Sequence, residues 1–322
     1  QDRSSLRFVM VRLPHDRSSL LWNGHILDGS PTSLFVESMD GWIDAMLFDE
    51  QGGGSGTKGI IKANIIVKED GVICGKPVIN RLIQCHFSKC AILWNIDEGE
   101  DVKSGQIIVT ITGESIEILR IERIMLNILG NLSGIATNTN NWTKKTSNIK
   151  LAATRKTDWG LLDKWAIHVG GGLTHRLNRN DALMMKENDF ISLKLHNESN
   201  SETIKRVMSN IDITQEEFVI VEVQNLIEAI IVVDVWKNIL NKSNKIVLLL
   251  DNVGPKIAKN ISLSLSSKNL RDYCILEGSG NIDINSLEEW SESEIELISS
   301  SGLNRGVRPL DLSMIFEEDT NV

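Results

Sequence analysis

The sequence lacks any apolar run long enough to cross a lipid bilayer. Its longest apolar stretches, near residues 230–236 and 246–250, have the length of a strand or short helix. The N-terminus lacks the ordered charged, apolar and small-residue regions of a secretion signal. A basic excess is also missing, because the formal net charge is -9. We therefore expect a cytoplasmic protein with no membrane partner and no general affinity for nucleic acid.

Cysteine is scarce, and no two cysteines form a CxxC pair. The four are Cys74, Cys85, Cys90 and Cys274. Cys85 and Cys90, with His86 between them, could suggest a metal site. Free cysteines are usually buried and stay reduced in the cytosol, so we expect buried free thiols instead.

The chain has 322 residues, of which 41% are hydrophobic and 24% charged, as in ordinary globular proteins. This length suggests about two domains, or one barrel with an addition. One interval departs from the acidic background: residues 150–194 contain eight Lys or Arg against five Asp or Glu. A local cationic patch in an acidic protein indicates an anionic ligand.

The first third of the chain predicts a leader followed by a small α+β domain. DRSSL occurs twice within residues 1–33, so we expect a leader of uncertain order and assign it no chemistry. GGGSGTKG at residues 52–59 lacks the Gly-Lys-Ser/Thr ending of a P-loop and is interpreted as a flexible loop.

Residues 34–148 are predicted to form an N-terminal α+β sandwich domain with a connecting helix. The expected elements are two strands in a hairpin around Asp70-Gly71, a helix at 77–86, strands in KCAILWNI and GQIIVTITG, and a helix at 115–132. On spacing alone, Glu122 and Arg123 in that last helix form a surface ion pair.

Residues 149–300 alternate short apolar runs with helical segments, a rhythm typical of parallel strands. Strands are predicted at residues 150–154, 166–169, 182–185, 218–221, 246–250, 273–276 and 295–298. Polar or glycine-rich residues follow every one. Because the ends of parallel strands open into one mouth, this pattern predicts an open (β/α) barrel with its active site there.

The two sides of the predicted mouth differ in charge. Residues 154–176 carry the cations Arg155 and Lys156, three glycines and the pair His175-Arg176, and Lys186 follows the third strand. Arginine and lysine suit carboxylates and phosphates. The glycines at 170–172 are interpreted as letting backbone pass close to the pocket.

Acidic and small residues follow the later strands. Glu222 and Asp251 could take ribose hydroxyls or Mg²⁺, which prefers oxygen ligands. The turns at 277–280 and 299–302, including Ser279, Gly280 and Gly302, offer backbone N–H groups to a terminal phosphate.

Several motifs in order resemble those of the quinolinate phosphoribosyltransferase family, over roughly residues 60–314. They are ERIMLNILGNLSGIAT, TRKTDWGLLDKWAIHVGGGLTHR, DALMMKEN, VEVQNLIEA, LLLDN and LEGSGNI. The resemblance implies an N-terminal α/β sandwich beside an open barrel, with residues 301–322 returning to the first domain. It implies that quinolinate and phosphoribosyl pyrophosphate react, with Mg²⁺, to nicotinate mononucleotide, carbon dioxide and pyrophosphate in NAD biosynthesis.

The resemblance also assigns residues. Arg155, Lys156, His175, Arg176 and Lys186 match cationic positions around the quinolinate carboxylates and phosphates. Glu222 and Asp251 match acids near the ribose and the metal, and Ser279, Gly280 and Gly302 lie in the phosphate turns. Lys156, Lys186, Glu222 and Asp251 are the expected catalytic residues. Arg123 matches an arginine that reaches the partner subunit's pocket, which implies a homodimer or larger homo-oligomer with shared sites.

Four positions depart from the family pattern. The family commonly has Pro at Trp159, His at Asp189, Gly at Asn281 and a glycine near Ser301. Asp189 is expected to tune or pair with Lys186. Two alternatives stay open: a related enzyme that acts on nicotinate or another base without decarboxylation, and a non-catalytic ligand-binding relative.

Overall fold

The computed structural model describes residues 13–50, 59–146, 148–212, 217–239 and 244–317. Two short strands open the described chain, and a helix leads from them into a region of antiparallel strands and helices. These elements are β1 Trp22–Asn23, β2 Ser30–Pro31, α1 Ser33–Asp49, β3 Ile60–Val67, β4 Gly71–Val72, α2 Lys76–His86, β5 Ala91–Trp94, β6 Asp101–Val102, β7 Ile107–Glu114 and α3 Ser115–Thr143.

Strands and helices alternate in the remainder of the chain. They are β8 Lys150–Ala152, α4 Leu161–Val169, β9 Leu183–Met185, α5 Glu187–Leu193, α6 Asn200–Ser209, β10 Val219–Val223, α7 Leu226–Lys237, β11 Ile246–Asp251, α8 Gly254–Ser267, β12 Cys274–Ser279, α9 Leu287–Ser291, β13 Leu297–Ser299 and β14 Leu312–Phe316. Short 3-10 helices lie at Ser18–Leu20, Arg271–Tyr273 and Ser301–Leu303.

The N-terminal domain is built on an antiparallel sheet with strand order β14-β3-β7-β5. The predicted hairpin at Asp70-Gly71 is wrong, because β3 pairs with β7 and β14 whereas β4 pairs with β6. Asp70 accepts hydrogen bonds from the Ser104 N–H and the Lys103 ammonium. These contacts tie the turn to residues 103–104, so the chain leaves the first sheet instead of folding back on β3.

The second domain contains a six-stranded parallel sheet in the order β8-β13-β12-β11-β10-β9. Within the described residues β8 and β9 do not pair, so the sheet stays open between them. Its inner face carries a small apolar cluster from alternating strand positions, as expected when side chains fill a barrel. The buried members of this cluster are Ala152, Ala182, Phe218, Ile220, Val247, Leu249, Ile275 and Leu297.

The predicted second strand, at residues 166–169, is wrong, because those residues end helix α4. Leu162, Trp165 and Ala166 recur at helical spacing and are fully buried. A short buried apolar run fits a strand or a helix equally well, which explains the error. The strand position is occupied further along, where Leu173 forms a single parallel bridge with Ala152.

The long helix α3 continues to Thr143, eleven residues beyond the predicted end. It packs against α4 through glycines. A Cβ at Gly170 would lie 2.4 Å from the Ala136 carbonyl oxygen, and one at Gly172 would lie 3.1 Å from Thr139. These two glycines therefore allow close helix packing, which corrects the expectation that they bring backbone near the ligand.

The predicted leader was interpreted wrongly where it is described. Leu21 is fully buried, and Leu13 packs against the apolar cluster inside the barrel. The second DRSSL copy forms part of this packed segment, whereas the first copy and the predicted loop at 52–58 lie outside the described residues. No helix in the described ranges is both long and apolar enough to cross a membrane.

Candidate active site

The carboxyl ends of the parallel strands bring most predicted site residues to one edge of the barrel. Thr154, Arg155 and Lys156 follow β8, and Lys186 follows β9. Glu222 is the penultimate residue of β10, and Asp251 and Ser279 are the last residues of β11 and β12. Parallel pairing aligns these ends, with Asp251 directly opposite Ser279. The arrangement agrees with the predicted mouth.

Three cations of the mouth, Arg155, Lys156 and Arg176, have no carboxylate partner within hydrogen-bond distance among the described residues. Arg155 and Lys156 are exposed and form no ion pair with any residue that the structure describes. Arg176 is 8% exposed, yet its guanidinium donates only to the Ala182 carbonyl at 3.0 Å and the Met184 sulfur at 3.2 Å. Its Nε has no partner. Burial, with Arg155 and Arg179 nearby, lowers the Arg176 pKa. A buried, uncompensated cation is costly unless an anion binds it.

Lys164 is a second buried cation near Arg176, and sequence reasoning missed it. Its side chain donates to the Thr174 carbonyl at 2.8 Å and is almost fully buried in α4. Burial lowers the pKa of Lys164 to about 7; Asp181 opposes this change and Arg155 reinforces it. Lys164 lies in α4 just before the stretch at 166–169 that was predicted as a strand. Lysine is usually exposed, so no sequence signal placed this one inward.

The acidic half of the mouth is formed by Glu222 and Asp251. Glu222 accepts a hydrogen bond from the Lys186 ammonium at 3.0 Å. Asp251 accepts from the Ser279 hydroxyl at 2.5 Å and from the Asn252 amide at 2.7 Å. Two pairs of predicted site residues, Lys186 with Glu222 and Ser279 with Asp251, therefore meet in space. Asp189 does not face the Lys186 ammonium, since it accepts from the Lys186 backbone N–H at 2.8 Å and caps α5.

The turn after β12 has left-handed backbone at two successive positions. Gly280 has φ 89° and Asn281 has φ 50°, a region that asparagine tolerates better than most residues. The Asn252 N–H donates to the Ser279 carbonyl, and the Asn281 amide reaches Asn252 Oδ1 at 3.2 Å. The N–H groups of Gly280 and Asn281 have no partner in the described part of the chain, so both remain available to an anion.

Gly302 lies in the 3-10 helix after β13, against Trp142 of α3. Its N–H donates to the Ser300 hydroxyl at 3.1 Å and is therefore already engaged. Ser301 begins the same 3-10 helix. Within this turn the glycine contributes close packing against the tryptophan rather than a free N–H donor.

His175 reaches the barrel interior, but its geometry is that of a neutral imidazole. Its Nδ1 accepts the Arg176 N–H at 2.7 Å, so the ring proton lies on Nε2 and is donated to Glu277 at 3.1 Å. Burial lowers the His175 pKa. The expectation of a cation at His175 is therefore not supported by this geometry. The histidine instead fixes the backbone that leads into Arg176.

Glu277 is the buried centre of this part of the site. Burial would raise its pKa, but the hydrogen bonds from His175 and His15 hold it well below its ordinary value. The Ser299 hydroxyl donates to the same carboxylate. Sequence reasoning saw Glu277 only as part of a polar strand end. His15 was missed because it lies 262 residues away in the chain.

Arg123 lies on the exposed face of α3 and has no ion-pair partner among the described residues. The predicted Glu122–Arg123 surface pair is not present there. Trp159, the first departure from the family pattern, stacks on Trp42 at a centroid distance of 6.3 Å. The tryptophan thereby packs the loop that carries Arg155 and Lys156 against α1.

Glu222 and Asp251 have the donor chemistry that a magnesium ion requires. Both present carboxylate oxygens at the ends of adjacent strands, where Glu222 accepts from the Lys186 ammonium and Asp251 from the Asn252 amide. Mg²⁺ commonly takes one or two protein carboxylates and completes its shell with water and substrate phosphate. Two carboxylates at the ends of adjacent strands fit this pattern.

A separate cavity of about 330 Å³ lies between residues 22–39 and helix α2. Its cations are already paired, Lys76 with Asp97 and Arg81 with Asp40. It therefore offers no uncompensated charge to an anionic substrate. All four cysteines are free; Cys74, Cys90 and Cys274 are buried, whereas Cys85 is exposed, contrary to expectation.

Two family models match consecutive parts of the chain. The N-terminal domain of quinolinate phosphoribosyl transferase matches residues 55–133, and the C-terminal domain matches residues 135–315. The junction falls inside α3. Neither match includes residues 13–54.

Known proteins resemble the chain over most of its length. A probable nicotinate-nucleotide pyrophosphorylase (carboxylating) from Methanothermobacter thermautotrophicus is 32% identical over 260 residues, 79% of this chain and 88% of that protein. Quinolinate phosphoribosyltransferase (decarboxylating) 1 from Nicotiana glauca is 27% identical, covering 79% of this chain and 73% of that protein. The structure of the nicotinate-nucleotide pyrophosphorylase from Francisella tularensis superposes with a TM-score of 0.75 at 25% identity, covering 92% of this chain and 100% of that one. With the ordered strand ends and the two domain matches, these similarities show that the chain belongs to the quinolinate phosphoribosyltransferase family.

Proposed function

We propose that this protein transfers a phosphoribosyl group from phosphoribosyl pyrophosphate to quinolinate and decarboxylates the product in NAD biosynthesis. The observation that carries the proposal is the buried Arg176 guanidinium, which has no carboxylate partner among the described residues. Arg155 is close enough to help lower the Arg176 pKa, and Glu222 and Asp251 lie at the carboxyl ends of β10 and β11. A dicarboxylate and a diphosphate ester together supply the anions that this half of the mouth lacks.

The cationic half suits quinolinate. Arg176 and Arg155 can each receive a carboxylate through planar N–H donors, and Lys156 adds a mobile positive charge. Arg176 is held by the Ala182 carbonyl, so its guanidinium is fixed before the substrate arrives. Fixed donors lose little freedom on binding, which favours both affinity and correct orientation.

The acidic half suits the ribose and its reacting carbon. Glu222 and Asp251 are anchored by Lys186 and by Ser279 with Asn252. As the bond from the anomeric carbon to pyrophosphate lengthens, positive charge grows on the ribose ring and fixed carboxylates stabilise it. The free N–H groups of Gly280 and Asn281 are placed to receive the 5′-phosphate.

The reaction balances without an oxidant or an organic cofactor. The quinolinate nitrogen forms a bond to the anomeric carbon, and pyrophosphate leaves with the bonding electrons. The adjacent carboxylate then leaves as carbon dioxide, and its electron pair stays on the ring carbon beside the positively charged nitrogen. That carbon takes up a proton to give nicotinate mononucleotide.

Mg²⁺ is the proposed cofactor, held by Glu222 and Asp251 together with phosphate oxygens. When bound, it supplies positive charge that stabilises the departing pyrophosphate. Lys186 lies 3.0 Å from Glu222, so it would share that carboxylate with the ion.

We further propose that the active unit is a homodimer or larger homo-oligomer, because Arg123 is exposed on α3 and has no ion-pair partner in the part of the chain that the structure describes. Mixing Arg123→Ala chains with Arg155→Ala chains should restore activity through heterodimers that contain one intact pocket. Arg120→Ala, an exposed arginine one turn earlier, is the control. Absence of recovery after confirmed subunit exchange would refute shared sites.

The reaction is tested by incubating the purified protein with carboxyl-labelled quinolinate, phosphoribosyl pyrophosphate and Mg²⁺. We expect release of labelled carbon dioxide and formation of nicotinate mononucleotide. Turnover of nicotinate in direct competition with quinolinate would favour the non-decarboxylating alternative. Tight phosphoribosyl pyrophosphate binding with no turnover of either acid would identify a non-catalytic relative.

A further inference from the structure

The segment of residues 174–176 carries Arg176 but lies at the gap in the parallel sheet. Leu173 makes one bridge to Ala152, and β9 begins only at Leu183. The backbone between them therefore lacks the regular ladder that holds the other strand ends. Lys164 supports it from the α4 side through the Thr174 carbonyl. The support on the other side comes from the N-terminal segment.

Residues 15–17 contact this backbone, which lacks a regular strand partner. The Arg17 N–H donates to the Thr174 hydroxyl at 2.8 Å, and that hydroxyl reaches the His15 carbonyl at 3.3 Å. The Arg17 guanidinium pairs with Asp181 at 2.7 Å, and Asp181 accepts the Leu177 N–H at 2.9 Å. The N-terminal segment thus holds both ends of the stretch that presents Arg176.

His15 extends the same contact into the barrel. Its ring is fully buried, lies edge-on to His175 at a centroid distance of 4.9 Å, and donates through Nε2 to Glu277 at 3.0 Å. Glu277 also accepts the Nε2–H of His175, and His175 Nδ1 in turn accepts the Arg176 backbone N–H. A continuous chain of hydrogen bonds therefore runs from His15 through Glu277 and His175 to Arg176.

We propose that His15 is a positioning residue for the quinolinate subsite, acting through Glu277 and His175 to fix Arg176. This inference rests on the proposed function and deepens it. His15 lies outside both family matches, so the family assignment does not supply this role. The segment replaces the missing sheet neighbour at the gap between β8 and β9.

The same three side chains also place possible metal-ligand atoms within 4.8 Å of one another. Their hydrogen-bond geometry opposes a metal ion. His175 Nδ1 accepts a backbone N–H, so its Nε2 holds the proton and has no lone pair for a metal. Glu277 is satisfied by His15, His175 and Ser299 as donors. A hydrogen-bonded positioning network accounts for all of these contacts.

The test compares His15→Leu, which removes the donor, with His15→Gln, which retains an N–H donor. His25→Leu replaces an exposed histidine of the same segment and serves as the matched control. We expect His15→Leu to raise the KM for quinolinate about tenfold to a hundredfold, because a hydrogen bond to a buried charge is lost. The KM for phosphoribosyl pyrophosphate should change less than threefold. His15→Gln should recover most of the loss, and His25→Leu should match the wild type.

A readout independent of turnover separates this proposal from the proposed function. Nitrogen-15 spectra of the imidazoles should show His175 as the Nε2–H tautomer in the wild type and shifted resonances in His15→Leu. If wild-type protein has no activity, the proposed function fails and these spectra still test the network. Unchanged His175 resonances, equal KM increases for both substrates, or a stoichiometric metal ion lost from His15→Leu would each overturn the proposal.

Discussion

The Lys186 ammonium lies 3.0 Å from Glu222 Oε2, joining the ends of β9 and β10. The lysine side chain is 54% exposed, so the pair should contribute at most about 1 kcal/mol to folding. Its value is in placing a carboxylate at the mouth while keeping a cation within reach of the same ligand. The pair can therefore be changed with little effect on stability.

Glu222→Gln should lower kcat about a hundredfold, because the amide cannot stabilise positive charge on the ribose. The melting temperature should stay within a few degrees of the wild type. Steady-state kinetics and calorimetry measure both quantities. Glu187→Gln, an exposed acid on the neighbouring α5, should retain full activity. A Glu222→Gln enzyme with wild-type kcat would remove this carboxylate from the mechanism.

Arg176→Met should weaken quinolinate binding while increasing the stability of the unliganded protein. The unpaired guanidinium is buried, so replacing it by an apolar side chain should raise the free energy of unfolding without ligand by about 1 kcal/mol. The KM for quinolinate should rise at least about tenfold, because a carboxylate loses its fixed donor. Lys145→Met, which replaces an exposed cation after α3, should change neither quantity much. Urea unfolding measures the free energy of unfolding, and steady-state kinetics measure the KM for quinolinate. A large loss of stability would contradict the view of Arg176 as an uncompensated charge.

The sequence predicted Glu222 and Asp251 because polar residues directly follow strongly apolar runs, and that signal is local. It misassigned α4, because Trp165, Ala166 and Ile167 form a buried run that suits a strand as well as a helix. It could not find His15, whose contact with Glu277 joins residues 262 positions apart. Local patterns identify the strand ends, whereas the protonation of His175 depends on which side chains meet across the barrel.

Lys164 should make stability depend on pH above neutrality. Its pKa is about 7 in the folded protein against an ordinary 10.5, so the unfolded chain binds more protons between these values. The destabilising contribution is fully present below pH 7 and disappears as the pH rises toward 10.5. The free energy of unfolding should therefore increase with pH, by at most about 1.4 kcal/mol per unit from this group.

Lys164→Met should remove that rise. Urea unfolding of the wild type and the variant at pH 7 and pH 9 measures the difference, and Lys145→Met, at an exposed lysine after α3, controls for a general loss of positive charge. The same pH dependence in wild type and Lys164→Met would show that this lysine is not the group responsible.

Gly280→Ala should impair the phosphate turn in a specific way. A Cβ at this position would lie 2.1 Å from Asn252 Oδ1 and 2.9 Å from the Asn252 backbone nitrogen, and the residue has φ 89°. The strained backbone costs about 1–2 kcal/mol, and the close contact forces Asn252 away from Asp251. Because Asn252 holds Asp251 and the free N–H groups lie in the same turn, the KM for phosphoribosyl pyrophosphate should rise at least about tenfold.

Gly306→Ala has a similar backbone, with φ 71°, but no atom within 4 Å of the new methyl group. It should show the backbone cost in urea unfolding without the kinetic defect, and an equal rise in KM in both variants would exclude the 279–281 turn as the phosphate site.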